Sequence, residues 1–221
     1  MPKPAGRGPR NPTAERTERK PREERWAELL QVATDLFYEK GYDGTSLQDI
    51  ATRLGMLKGS IYYYIESKED LLFEVVKTVY EDGMAVIRAR SAEAGDPLTR
   101  LRNVIAGHVE HTCRNLVATA VFLHELDTLP PQRRREALGT DHAYQGVFRG
   151  LIEQAQAEGL VRSDVDPRLA ALSILGSTNW VYRWYQPGGQ MTPTEIGAGL
   201  ADIAIGGITA HAASGRPAPQ T

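Results

Sequence analysis

The groups in this sequence that are best suited to bind an anion lie in one short stretch, residues 50–65. Its only charged side chains are Arg53 and Lys58, and both are basic. Three consecutive tyrosines, at 62–64, add hydroxyl groups and rings beside them. Charge-assisted hydrogen bonds from groups of this kind are the chemistry with which proteins hold phosphate.

A further basic group follows directly after this stretch. Ser67 has the pattern of a helix N-cap with Asp70 at the third helical position, which places Lys68 in the first helical turn. A cation there opposes the helix dipole, so we expect Lys68 to have an anionic partner outside the chain. A phosphate suits that position.

Two short helices are expected to position these groups. Ser46 precedes an apolar helical pattern and has Asp49 three residues later, which resembles a capping box. Gly55 supplies the positive φ that ends this first helix, and a second short helix is predicted over roughly 58–64. In a helix-turn-helix the second helix enters the major groove of DNA and the first crosses the backbone. The stretch therefore predicts a DNA-binding head. Its candidate DNA contacts are Ser46, Gln48, Leu57, Lys58, Gly59, Ser60, Tyr62, Tyr63, Tyr64 and Lys68.

The same residues resemble a known family. Residues 54–64, LGMLKGSIYYY, and 67–72, SKEDLL, are similar to the helix-turn-helix of the TetR family of bacterial regulators. Tyr63 departs from the commonest form, in which His is frequent, and Ile65 stands where Phe is usual. Both differences bear on the preferred DNA sequence and not on DNA binding. Seven earlier positions match the same pattern: Ala33, Phe37, Gly41, Tyr42, Thr45, Ile50 and Ala51.

Charge is distributed unevenly along the chain. The 221 residues carry a formal net charge of −2, yet residues 1–25 hold eight Lys or Arg against four Glu, a net charge of +4. Such an arm suits contact with phosphates or a minor groove. A solvated, disordered leader is the alternative, favoured by its Pro and Gly content.

The composition is typical of a soluble globular protein, with 41% hydrophobic residues. The N-terminal segment lacks the apolar region of a secretory signal, and no run of about 18 apolar residues indicates a membrane span. Cys113 is the only cysteine, which excludes an intramolecular disulfide and fits a reducing cytoplasm. We therefore expect a cytoplasmic protein with no membrane partner.

Helical periodicity continues to the end of the chain without strand-type alternation, which predicts an all-α fold. An amphipathic helix from Arg22 to Gly41 supplies the core of a three-helix head, and a long helix from Ser67 towards Arg90 links that head to a larger helical domain. Further helices are predicted over 97–114, 116–126, 131–158, 167–186 and 193–211. The expected division is an arm at 1–21, the head at 22–68, a ligand-binding and dimerisation domain at 69–212, and a frayed tail at 213–221.

The last two predicted helices, 167–186 and 193–211, are candidates for a dimer interface. One helix-turn-helix offers few base contacts, and the usual remedy is a two-fold homodimer on a palindromic site. The resemblance implies a four-helix bundle, two helices from each subunit. Gly197, Gly199, Gly206 and Gly207 suit a face that another helix approaches closely. The alternative is that both helices only complete the core of a monomer.

The second domain is rich in aromatic side chains at helical spacing, which suits a helical bundle around a cavity. Residues 180–189, WVYRWYQPGG, resemble the C-terminal domain of TetR-family repressors that control lipid and steroid breakdown and respond to acyl-coenzyme A thioesters. That resemblance implies phosphate binding by cations such as Arg183 or the run 133–135, although a solvated helix face also explains the run. Arg183 equally suits an ion pair across a dimer. The candidate ligand contacts are Phe122, Tyr144, Phe148, Trp180, Arg183 and Trp184.

A catalytic or metal-binding function is not favoured. His108 and His111 share a helix face, but Cys113 is off their spacing, so a polar pocket wall is the better interpretation than a metal site. Glu125 and Asp127 point to different helix faces, and no hydrolase, phosphate-loop or dinucleotide motif is present. No cofactor is expected.

Three hypotheses follow from these patterns. The first is a homodimeric repressor that holds palindromic operator DNA until a small effector, such as an acyl-coenzyme A, fills the second domain. The second is a ligand-blind DNA-binding protein with a filled core, and the third is an enzyme that uses the helical bundle. A cavity separates the first from the second, and DNA binding separates both from the third.

Overall fold

The computed structural model describes residues 21–139 and 143–209, and it confirms the all-α prediction. Within these residues the only β-type pairing is an isolated bridge between Val161 and Thr209. None of the described helices is long and apolar enough to cross a membrane. The helices are α1 Arg22–Lys40, α2 Leu47–Arg53, α3 Lys58–Ile61, α4 Lys68–Ser91, α5 Pro97–Arg114, α6 Leu116–Glu125, α7 Pro131–Leu138, α8 Ala143–Ala157, α9 Pro167–Asn179, α10 Val181–Trp184 and α11 Pro193–Ile208, with a 3₁₀ turn at Leu126–Thr128. The predicted arm, apart from Pro21, and the predicted tail lie outside the described residues.

Local signals set both ends of α2, the first helix of the helix-turn-helix. The Ser46 hydroxyl accepts a hydrogen bond from the Asp49 N–H at 3.1 Å, and the Asp49 carboxylate accepts one from the Ser46 N–H at 2.9 Å. This is the predicted capping box. The hydrogen bonds from Ser46 lower the pKa of Asp49 to about 2. Gly55 has a φ of 63°, as predicted, and ends the first helix.

The second helix of the helix-turn-helix, α3, is shorter than predicted. Regular α-helix covers only Lys58–Ile61. The chain then continues in tighter turns, in which the Tyr63 N–H bonds to the Ser60 carbonyl and the Tyr64 N–H to the Ile61 carbonyl at 2.8 Å. In both bonds the N–H donates to the carbonyl three residues earlier, which is the 3₁₀ pattern. The tyrosines therefore lie on a 3₁₀-like extension of α3.

Two predicted helices each divide in the structure. The span 131–158 is interrupted at Gly139, whose φ of 68° ends α7. The span 167–186 breaks at Trp180. There the Ser177 and Thr178 hydroxyls both bond to the Ile174 carbonyl, at 2.9 and 2.8 Å, and such side-chain bonds compete with the backbone ladder and bend helices.

The apolar core of the head extends beyond the head. Leu36, Phe37 and Ile50 belong to one buried cluster that also contains Val121 of α6 and Leu129, which precedes α7. The predicted division at 68/69 is therefore bridged by continuous packing. A displacement of α6 acts directly on the side chains under the helix-turn-helix.

A second buried cluster joins α4, α5, α8, α9 and α11. At Gly197 of α11 a Cβ atom would lie 2.9 Å from the Ala106 carbonyl oxygen of α5, so only glycine permits this close approach. Gly199, Gly206 and Gly207 have no such neighbour and face open space. The predicted close approach of a helix therefore applies at Gly197 within the protomer.

Candidate functional site

The α2–α3 unit presents an exposed polar and aromatic surface. Leu57, Tyr63 and Tyr62 are 81%, 71% and 50% exposed. Lys58 is exposed and has no hydrogen bond or ion pair within the described chain, which leaves its ammonium available to an external anion. The other exposed members of the predicted contact set are Ser46, Gln48, Gly59 and Ser60.

Tyr64 is placed differently from its two neighbours. It is half-buried, its ring stacks on Trp26 at 6.4 Å between centroids, and it meets Tyr63 edge-on at 5.3 Å. Arg22 lies over the Tyr63 ring at 5.4 Å. Tyr64 therefore anchors α3 to α1, and Tyr62 and Tyr63 carry the accessible hydroxyls.

Lys68 has partners inside the chain, which corrects the expectation that its partner is external. Its Nζ donates to the Tyr42 carbonyl at 2.8 Å and to the Thr45 carbonyl at 2.9 Å, and it lies 4.0 Å from the centroid of the Tyr42 ring. Carbonyl oxygens and a ring face supply the negative potential that offsets the helix dipole. Lys68 thus ties the start of α4 to the turn between α1 and α2.

Arg53, the other basic group of residues 50–65, also has a partner within the chain. It forms two 2.8 Å hydrogen bonds to the Glu39 carboxylate. These bonds raise the pKa of Arg53 and lower that of Glu39. Of the two basic groups between residues 50 and 65, Lys58 is the one left to bind an anion.

A cavity of about 330 Å³ lies in the second domain, between α4, α5, α6, α8 and α9 with a contribution from α7. Its wall is mainly apolar, and among the described residues that line it none is an acid, a lysine or an arginine. The apolar part includes Val79, Phe122, Leu123, Leu138 and Leu175. The polar part includes His108, His111, Thr112, Thr119, Tyr144 and Asn179.

One polar network is built into this wall. His108 Nδ1 lies 2.8 Å from the Tyr144 hydroxyl, and its Nε2 lies 3.0 Å from the Asn179 amide oxygen. Because an amide oxygen only accepts, Nε2 carries the proton and Nδ1 accepts from Tyr144. Burial lowers the pKa of His108 to about 4, so the ring is neutral at pH 7. Burial also raises the pKa of Tyr144.

The predicted ligand contacts separate into three groups. Phe122 and Tyr144 line the cavity. Phe148 is fully buried behind the wall, with its ring centroid 6.2 Å from that of Tyr144 and 6.1 Å from that of His108. It shapes the cavity indirectly.

The other three predicted ligand contacts do not line the cavity. Trp180 and Trp184 are 58% and 48% exposed, and the Arg183 guanidinium lies 5.8 Å from a Trp180 ring centroid. The helix break at Trp180 is the reason. It ends the α9 face that carries Leu175 and Asn179, and the Trp180 ring faces outwards.

Both histidines lie where a polar pocket wall was predicted. His108 and His111 both line the cavity, and the ring nitrogens of His108 are occupied by Tyr144 and Asn179. Cys113 instead packs with Val109 in a separate apolar cluster, where burial raises the pKa of its thiol to about 11. No three His, Cys, Asp or Glu side chains in the described ranges group in a way that could hold a metal ion.

The arginine run at 133–135 forms intramolecular ion pairs. Arg133 pairs with Asp70 and Glu69 of α4 and lies 4.5 Å from the Phe73 ring centroid. Arg134 pairs with Asp127. These contacts fasten α7 to its neighbours, and they occupy two of the three guanidinium groups suggested for phosphate binding.

Several wall residues were not foreseen, because a polar side chain on a helix does not reveal which neighbour it meets. Thr112, Thr119 and Asn179 fall in this class. The sequence pattern shows Glu125 only as one of two nearby acids. In the structure its Oε1 accepts a hydrogen bond from the Tyr42 N–H at 3.1 Å, across 83 residues of sequence.

Two family descriptions match separate stretches of the chain. Residues 29–75 match the family described as bacterial regulatory proteins, tetR family, and residues 94–208 match the tetracyclin repressor-like C-terminal domain. The HTH-type transcriptional repressor KstR2 of Rhodococcus jostii is 30% identical over 83% of this chain and 91% of its own.

Two solved structures show the same fold over nearly their whole length. The ketosteroid transcriptional regulator KstR2 of Mycobacterium tuberculosis has a TM-score of 0.78 and 29% identity, over 85% of this chain and 96% of its own. AibR, solved in complex with isovaleryl coenzyme A and operator DNA, has a TM-score of 0.71 and 29% identity, over 81% of this chain and 97% of its own.

Proposed function

The chain belongs to the TetR family of DNA-binding transcriptional regulators and is not an enzyme; from that premise we propose that it is a homodimeric repressor released from a palindromic operator by an acyl-coenzyme A thioester. The observation that carries the proposal is the cavity of about 330 Å³ beside a helix that also packs under the head. A ligand-blind DNA-binding protein would fill that space with side chains.

The exposed surface of α2 and α3 is the proposed DNA-reading face. Lys58 is exposed on that face without a partner among the described residues, and the exposed Tyr62 and Tyr63 are its near neighbours in sequence. Contacts of this kind to phosphate fix the orientation of a recognition helix on DNA. Two copies of α3 about 34–36 Å apart would meet successive half-sites of a palindrome.

The proposed dimer face lies on α9 and α11. Leu169 of α9 and Ile203 of α11 are 67% and 73% exposed in the protomer. Gly206 and Gly207 on α11 leave open space for an approaching helix. Large apolar side chains next to small residues favour helix-on-helix association. Trp180 and Trp184 are exposed at the adjoining end of this surface.

The chemistry of the cavity wall favours an uncharged, largely apolar group. A bare carboxylate or phosphate would lose its hydration there without meeting a lysine or arginine among the described wall residues, which is costly. A cavity of about 150 Å³ holds a benzene ring, so 330 Å³ suits a short or medium acyl chain or about two rings. The charged coenzyme would remain outside, where Arg183 is exposed. The acyl-coenzyme A complex of AibR supports the same class.

Release requires that the effector bind better to a conformation that no longer fits the operator. A hundredfold loss of DNA affinity corresponds to about 2.7 kcal/mol of differential binding. Filling the cavity displaces side chains of α4 and α6, and both helices pack against the head. Apolar contacts between the effector and the cavity are large enough to supply this differential binding free energy, because each buried methylene contributes about 0.8 kcal/mol.

The test begins with native mass spectrometry of the purified protein and continues with DNA binding. A duplex is selected from a random pool by the protein, and its affinity is measured with acyl-coenzyme A thioesters of two to sixteen carbons. The matched controls are coenzyme A and the corresponding free fatty acids. Loss of DNA affinity with a thioester and not with either control supports the proposal. A monomer, or DNA affinity that is insensitive to every thioester, contradicts it.

A further inference from the structure

Besides the apolar packing of α6 under the head, a polar side chain at the end of α6 connects this helix to the DNA-reading head. Thr119, Phe122 and Leu123 of α6 form part of the cavity wall. Less than one helical turn further on, Glu125 is the last residue of that helix. Its Oε1 accepts the hydrogen bond from the Tyr42 N–H, and its Oε2 accepts one from the Thr128 hydroxyl at 3.2 Å. The carboxylate thus links the helix that carries part of the cavity wall to the head.

The turn that receives this carboxylate is held by the head at its other polar groups. The Thr45 hydroxyl donates to the Leu36 carbonyl at 3.0 Å and the Gly41 carbonyl at 2.8 Å. Lys68 holds the carbonyls of Tyr42 and Thr45. Within the described structure, the Tyr42 N–H of this turn instead donates its hydrogen bond to a residue of the second domain, Glu125.

The turn also determines where α2 begins. Thr45 directly precedes Ser46, the N-cap of α2, and Lys68 of the same network is the first residue of α4. A half-buried N–H that loses its acceptor destabilises the arrangement that presents it. A shift of α6 therefore changes the support of α2 and α4 together, and these helices place α3.

We propose that Glu125 is a positioning residue that couples the effector cavity to the DNA-reading helices through its hydrogen bond to the Tyr42 N–H. The inference rests on the proposed function, in that the cavity must control DNA binding. The coupling depends on an oxygen acceptor at the position of Oε1 and not on the negative charge. Glu125→Gln retains such an oxygen, whereas Glu125→Ala removes it.

The test uses DNA alone, because coupling is reciprocal: if α6 controls DNA binding, DNA must in turn stabilise α6. Hydrogen exchange of the backbone amides is followed by mass spectrometry, with and without a duplex that the wild-type protein has selected from a random pool. Peptides from 116–125 report α6, and peptides from 56–66 report the head. Protection of the head peptides by DNA verifies that each variant is folded and bound.

In the wild-type protein DNA is expected to slow exchange in 116–125 by roughly fivefold or more, the lower end of typical coupling. Glu125→Gln should retain this protection. Glu125→Ala should lose most of it while the head stays protected. Equal protection of 116–125 in the wild-type and Glu125→Ala proteins would overturn the proposal, as would unprotected α6 in the wild-type complex. Neither result depends on the effector class, so failure of the acyl-coenzyme A proposal is separately recognisable.

Discussion

The ammonium group of Lys68 lies 2.8 Å from the carbonyl oxygen of Tyr42 and 4.0 Å from the centroid of the Tyr42 ring. A second carbonyl, that of Thr45, accepts from the same group at 2.9 Å. Lys68 therefore joins α4 to the turn before α2. The ammonium group of Lys68 therefore connects α4, the helix that leads to the second domain, to the helix-turn-helix.

Lys68→Ala tests this positioning role. The substitution should destabilise the fold by about 1–3 kcal/mol, since two carbonyls lose a charged donor. DNA affinity should fall because α2 is less well placed, but the slope of log affinity against log salt should stay unchanged. The measurement is a salt titration of DNA binding, with chemical unfolding alongside. A slope reduced by about 0.9 would instead identify a direct phosphate contact.

Lys58→Ala is the matched comparison, because Lys58 has no partner within the described chain. Here the salt slope should fall by about 0.9, as one phosphate contact is lost. Affinity should fall uniformly across DNA sequences, while the free energy of unfolding changes by less than about 0.5 kcal/mol, as is usual for an exposed site. A marked loss of stability with an intact slope would exchange the roles assigned to Lys58 and Lys68.

Ile203→Glu tests the dimer face. A carboxylate in place of an apolar side chain that is 73% exposed leaves the protomer stable but must be desolvated in the dimer. Sedimentation equilibrium should show a shift to monomer, with a dissociation constant at least about 30-fold higher for a loss of roughly 2 kcal/mol. Tyr38→Glu, at a 56% exposed position on α1, is the control and should remain dimeric. Equal behaviour of the two variants would remove α11 from the interface.

Phe122→Ala enlarges the cavity and leaves the exposed α2–α3 surface unchanged. Because Phe122 also packs against the core of the head, the quantity measured is ligand binding and not DNA binding. In the wild-type protein each added methylene of an acyl chain should improve binding about fourfold until the cavity is full, from about 0.8 kcal/mol per methylene. The variant should continue to gain affinity at longer chains. Calorimetric titration with a thioester series measures both curves. An unchanged chain-length limit would place the acyl group elsewhere.

His108 predicts a specific dependence of stability on pH. Burial depresses its pKa from about 6.5 to about 4, so between these values the unfolded chain binds a proton that the folded chain does not. The unfolding free energy should therefore fall as the pH is lowered through this range, by on the order of 3 kcal/mol from this residue. Above about pH 6.5 its contribution is constant.

Urea unfolding of the wild-type and His108→Gln proteins at pH 7, 6, 5 and 4 isolates that contribution. His111, whose pKa burial also lowers, is present in both proteins and cancels in the comparison. The variant should be less stable at pH 7 and should lose less stability on acidification. Parallel pH profiles would show that His108 does not titrate as its surroundings imply.

The fold could be predicted to the extent that it depends on neighbours in sequence. The capping box of Ser46, the positive φ of Gly55 and the Pro97 start of α5 are local, and the structure has all three. The break at Trp180 was missed because Ser177 and Thr178 are compatible with a continuing helix and only their hydrogen bonds to Ile174 show otherwise.

The sequence by itself determined that the chain is helical, that residues 46–64 form a helix-turn-helix, and which family it resembles, because caps, glycines and periodicity act within a few residues. Only the tertiary structure decided which polar groups have hydrogen-bond partners within the described chain and which are exposed to external ones. Lys68 meets Tyr42 across 26 residues and Glu125 meets the same turn across 83. Contacts over such distances depend on how whole helices pack, and a side chain's type does not specify its partner.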